Sequence, residues 1–132
     1  MSIMANPFTS QLDLELARQS LLFSFREIVS ELTAVIGKKL TPYIAGTKET
    51  CVIDCWITGA QPGADIEERI RFAYPLVMTL RLNETPEVVQ AWLVGVNPEL
   101  GDRAAIRILR GDPLDVAGPS LLEAAKALAS GG

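Results

Sequence analysis

Residues 21–37 read LLFSFREIVSELTAVIG. Within that run Leu21, Phe25, Ile28, Leu32 and Val35 recur at spacings of four, three, four and three, and Leu22, Val29 and Ile36 widen the stripe on one flank. Residues so spaced share one face of an α-helix. The pattern predicts one long amphipathic helix. It begins near Ser10, where Asp13 three residues on gives a capping-box look, and it ends at Gly37, the residue type favoured just past a helix C-terminus. The stripe suits either a core or a dimer seam. It is wider and longer than so small a chain needs for its own core, which predicts a symmetric homodimer.

Beyond Gly37 the chain is punctuated. Thr41-Pro42 reads as the N-cap and first position of a very short helix stopped at Gly46, followed by a second helical stretch from Glu49 to Ile57. A loop at Gly59, Pro62 and Gly63 precedes a helix capped by Asp65, with Ile66, Ile70, Ala73, Val77 and Leu80 as its apolar face; Pro75 is expected to kink or split it. Thr85-Pro86 opens a helix that ends at Gly95, Asn97-Pro98 turns the chain, and Asp102 caps a short helix closed by Gly111. Asp112-Pro113 and Gly118-Pro119 bracket a loop before a last Ala-rich helix from Ser120 to Ala129. No segment alternates apolar and polar residues for long, and Cys51-Val52-Ile53 is the one β-leaning run. The expected fold class is all-α.

With 132 residues, 48% of them hydrophobic, the chain can bury one modest core. A net charge of -4 argues against a protein that coats nucleic acid non-specifically. The absence of histidine removes the commonest general base and metal ligand, so no His-dependent triad or zinc site is expected. Cys51 and Cys55 lie four apart on a helix and are expected to pack against its core as free thiols. Glu67 and Glu68 read as first-turn charges favoured by the helix dipole. The start of the chain lacks the pattern of a signal peptide, and no apolar run nears the roughly 18 residues of a membrane span. A cytoplasmic protein without catalytic residues, cofactor or metal is expected.

One stretch carries a resemblance. Val89-Gln90-Ala91-Trp92-Leu93, then Asn97-Pro98-Glu99-Leu100-Gly101-Asp102, then Ile108-Leu109-Arg110-Gly111 resembles the toxin-binding domain of the Xre/MbcA/ParS antitoxin family, over about Pro86 to Ala129. Ile108-Leu109 stands where the family often has Leu-Leu. The motif residues are Trp92, Asn97, Pro98, Leu100 and Leu109, which can also be read as scaffold: an indole anchor, a forced turn and two leucines folding back on a core. Upstream, residues 40–62 resemble a divergent Xre-type helix-turn-helix. The implied division is residues 1–82, with the first helix and the helix-turn-helix, and residues 83–132, the toxin-binding domain.

The resemblance implies an antitoxin, non-catalytic itself, that binds a RES-domain toxin, an NAD-degrading enzyme, and blocks its active site. The final helix would reach the toxin, with Leu121, Ala125, Leu128 and Ala129 as contact candidates. Candidate DNA contacts are Lys38, Lys39, Lys48 and Thr50. The stretch from Glu49 to Cys55 has two acids and no Lys or Arg, so the chain alone is expected to bind DNA only weakly. A helix-turn-helix transcription regulator, or a protein-protein adaptor without a toxin, are the alternative readings.

Overall fold

The computed structural model describes residues 11–130. The expected single long helix is two. Helix α1 (Gln11–Leu22) stops, and Ser24 in extended conformation opens α2 (Phe25–Ile44). Ser24 Oγ accepts from the Glu27 N–H at 3.3 Å, and Glu27 Oε1 accepts from the Ser24 N–H at 2.9 Å. This is a capping box placed inside the apolar run, and it satisfies two donors that a new helix start would leave bare. The break divides the stripe. Phe25, Ile28, Val29, Leu32, Val35 and Ile36 are buried, whereas Leu21 and Leu22 on α1 are 77% and 70% exposed. From Phe25 onward the stripe is core.

Gly37 does interrupt the helix, at φ 92°, a conformation closed to residues with a Cβ. The chain then resumes helical geometry through Pro42 to Ile44. Thr41 is therefore no N-cap; its hydroxyl donates to the Gly37 carbonyl at 3.0 Å. Helix α3 (Val52–Ile57) includes most of the β-leaning run and buries Ile53 and Trp56, the latter edge-on to Phe25 at 5.5 Å. With that face turned inward, Cys51 and Cys55 are exposed free thiols, which corrects their expected place in the core.

Helix α4 (Ala64–Arg81) is central, packed against α1, α2 and α7 (Leu114–Ala129). Gly63, not Asp65, is its N-cap, and it runs through Pro75 without splitting. Proline in a helix costs about 3 kcal/mol, but α4 buries Ile70, Leu76, Val77 and Leu80 completely. At about 1.5–3 kcal/mol per such side chain, packing outweighs the lost hydrogen bond. The same logic carries α7 through Gly118-Pro119, where a loop was expected. A Cβ on Gly118 would sit 3.0 Å from Phe72 Cε2, so the glycine lets α7 lie close on α4.

Helix α5 (Pro86–Val94) begins where Thr85-Pro86 predicts, with Thr85 Oγ1 accepting from the Val88 N–H. A two-residue strand pair then appears that the sequence pattern does not announce. Strands β1 (Val96–Asn97) and β2 (Arg103–Ala104) pair antiparallel, Val96 opposite Ala104 and Asn97 opposite Arg103, around one 3-10 turn at Pro98–Leu100. Asp102 closes this hairpin at φ 61°, donating its N–H to the Asn97 carbonyl. It is not a helix cap, and α6 (Ala105–Gly111) starts after Ala104.

The fold is predominantly helical, and one buried cluster runs from Phe25 to Ala125 across the 82/83 division. Polar ties cross it too. Arg69 on α4 donates to the carbonyls of Leu109 and Asp112, at 2.8 and 2.9 Å, and Gln90 on α5 to that of Val35 at 2.8 Å. No helix of the described residues is long and apolar enough to cross a membrane.

Candidate functional site

The signature residues divide into two groups. Leu100 and Leu109 are buried in the common core. Trp92 is half-buried on α5, Pro98 is exposed, and Asn97, itself buried, sets the turn between them: its Oδ1 accepts from the Glu99 N–H at 2.9 Å. Trp92, Asn97 and Pro98 line one open cleft of about 530 Å³, and the far wall is Ala124, Ala127 and Leu128 of α7. Motif and final helix therefore meet at one place.

The α7 contact candidates do not all reach that place. Leu121 and Ala125 are fully buried, which corrects their assignment as partner contacts. They lie four apart and face the core, so a partner could reach them only by opening it. Leu128, two turns beyond Leu121, is half-buried and lines the cleft; Ala129 is half-buried and does not line it. Ala124 and Ala127, small residues of the same helix, complete that wall, whereas nothing in an alanine-rich stretch tells which face opens onto a cleft.

Glu84 and Glu99 line the cleft as well, and among the described residues no Lys or Arg does. Its chemistry is an indole face and methyl groups under a rim of two carboxylates. Such a surface suits a basic partner with an apolar projection.

The DNA candidates Lys38, Lys39, Lys48 and Thr50 are all exposed. Lys38 Nζ lies 4.0 Å from Asp54 Oδ1 on α3, so this acid partly neutralises a nearby cation. Lys38 and Lys39 line a separate hollow with Glu87 and Gln90 of α5. Glu49, Asp54 and both cysteines are exposed around α3. Among the described residues no three His, Cys, Asp or Glu side chains gather in a metal-binding group.

The perturbed acids have structural causes. Hydrogen bonds from the Ser24 backbone and side chain, then its neighbour Arg26, hold Glu27 below the usual carboxylate range. The bidentate Arg103 contact, at 2.7 and 2.8 Å, does the same for Asp112, and Asp112 in turn raises Arg103. Burial, then the charge of Glu31, pushes the Tyr74 phenol up. No protein family, curated protein or solved structure matches the chain.

Proposed function

We propose that this chain is the antitoxin of a type II toxin-antitoxin pair, which holds a RES-domain NAD-degrading enzyme and occludes its active site through the cleft between α5, the Asn97-Pro98 turn and the end of α7. The observation that supports the reading is the convergence of Trp92, Asn97 and Pro98 with Leu128 on that one cleft. A signature that served only as scaffold would have no need to leave an indole partly open to a groove. The acidic rim adds a second element, because charge complementarity speeds association and excludes wrong partners.

Autoregulation, as part of this proposal, draws on the toxin. The Lys38–Asp54 pair and the acids around α3 leave that face a poor ligand for the DNA backbone, and a basic partner would add attachment points. The same pair favours a second reading, an adaptor whose helix-turn-helix remnant no longer meets DNA.

The test is co-expression with the protein encoded by the neighbouring gene, followed by size-exclusion chromatography and measurement of cellular NAD. The expected result is a stable complex and preserved NAD. Ala127→Arg, which places a large cation in the cleft, is expected to release the partner and restore NAD loss without changing the melting temperature. A complex that forms equally well with Ala127→Arg, or no complex at all, overturns the proposal.

A further inference from the structure

A second and larger cleft, about 820 Å³, opens on another side of the C-terminal hairpin, between the end of α2, the β-strand pair and α6. Its cations are Arg103, Arg107 and Arg110. Arg103 is engaged by Asp112 through both guanidinium nitrogens. The other two are not balanced. Arg107 is exposed and makes no ion pair or hydrogen bond with any described residue. Arg110 is half-buried over the Tyr43 ring, 4.3 Å from its centroid, and its one hydrogen bond is a long 3.4 Å contact to the Tyr43 carbonyl. The cation–π contact holds that guanidinium in place and leaves most of its donors unused.

Arg107 and Arg110 are three apart on one helix, so their forks project from the same face. Two forks offer more paired donors than a carboxylate has oxygens to accept. A phosphate ester, with three terminal oxygens and up to two charges, matches them. The lining also includes Val94 and Val96, which are 53% and 71% exposed and offer a surface to an apolar or aromatic body. Exposed Asp102 at the rim can accept from hydroxyl groups. The volume lies in the range of small-molecule sites, well beyond a bare anion.

We infer that this cleft binds a phosphorylated small molecule of mononucleotide size, its phosphate held by Arg107 and Arg110 and its planar or apolar body laid against Val94 and Val96. The site meets the Trp92 cleft only at Val96, and the arginines that hold the phosphate line this cleft alone, so Arg107 and Arg110 test it independently of the toxin.

The experiment is isothermal titration of the full chain at fixed ionic strength with three probes: inorganic phosphate, adenosine monophosphate and a short DNA duplex. Expected is saturable binding of the mononucleotide, with inorganic phosphate competing more weakly. Arg107→Gln, at an exposed position, is expected to keep the melting temperature and to weaken mononucleotide binding by about tenfold. Arg110→Lys keeps charge but loses the fork, and is expected to weaken it comparably. Arg26→Gln, an exposed arginine outside the cleft, is expected to change nothing. No saturable binding to millimolar mononucleotide, equal binding by Arg107→Gln and wild type, or binding of the duplex alone would each overturn the inference.

Discussion

Replacing Arg69 by Met tests whether the two halves of the chain stand as one unit. The Arg69 side chain is 14% exposed, and its Nη1 donates to the carbonyls of Leu109 and Asp112 at the C-terminal end of α6. Those carbonyls belong to the end of a helix, where intrahelical partners run out, and α6 at seven residues cannot hold itself. Hydrogen bonds to a charged donor contribute about 1.5–3 kcal/mol each. The site is only part-buried, so water can replace some of what is lost, and a total of about 2–4 kcal/mol is expected. That is a large share of the roughly 5–15 kcal/mol stability of a small domain. Met keeps the aliphatic stem and removes the donors. The Asp65 partner, 3.7 Å away and 81% exposed, contributes little, so Asp65→Asn is expected to cost no more than about 0.5 kcal/mol. Urea unfolding read separately from Trp56, in a Trp92→Phe background, and from Trp92, in a Trp56→Phe background, samples both sides of the 82/83 division. Coincident transitions, both shifted by Arg69→Met, are expected. A shift below about 0.5 kcal/mol, or a second transition seen only by Trp92 in the parent, would refute the reasoning.

Phe25→Glu with Leu32→Glu is expected to give an unfolded or insoluble chain and not a soluble monomer, since both side chains are core; a folded monomer in solution scattering would contradict their burial. Trp92→Ala is expected to cost less than the roughly 3–5 kcal/mol of a fully buried aromatic, because the indole is only partly buried, while abolishing the partner complex; calorimetry and co-elution separate the two effects. The Arg103–Asp112 pair gives a pH dependence with a definite sign. Asp112 titrates lower folded than unfolded, so its contribution is complete above the ordinary carboxylate range and is lost as pH falls through the folded value; Asp112→Asn is expected to flatten the acid limb of a stability-against-pH curve and leave the neutral region without slope.

Local chemistry was legible and competition between scales was not. Thr85-Pro86 announced α5 because a cap is decided within four residues, and Gly37 announced a stop because only glycine takes that φ at low cost. Ser24 hid because its neighbours keep perfect helical spacing; only the Glu three residues later betrays the box. Pro75 and Pro119 misled for the opposite reason. Their local cost is real, but the burial gathered along α4 and α7 exceeds it, and that sum exists only once the helices have met. Two-residue strands are too short to show a period at all.

The site was half legible for a related reason. Trp92, Asn97 and Pro98 could be picked out as a group, yet whether Leu121 or Leu128 stands beside them depends on where α7 leaves the core, which its own sequence does not state. Charge is the harder case. Counted along the chain, residues 38–54 offer Lys38, Lys39 and Lys48 against Glu49 and Asp54; in space Asp54 takes up Lys38, while Arg107 and Arg110, some sixty residues away in sequence, come to rest beside the end of α2. A tally by segment therefore misplaces the positive surface. Arg110 shows the cause most directly: it stands in the last turn of α6, where the helix dipole favours a cation, but its guanidinium lies over the Tyr43 ring across the fold, and that contact makes a helix-end charge part of the lining of a cleft.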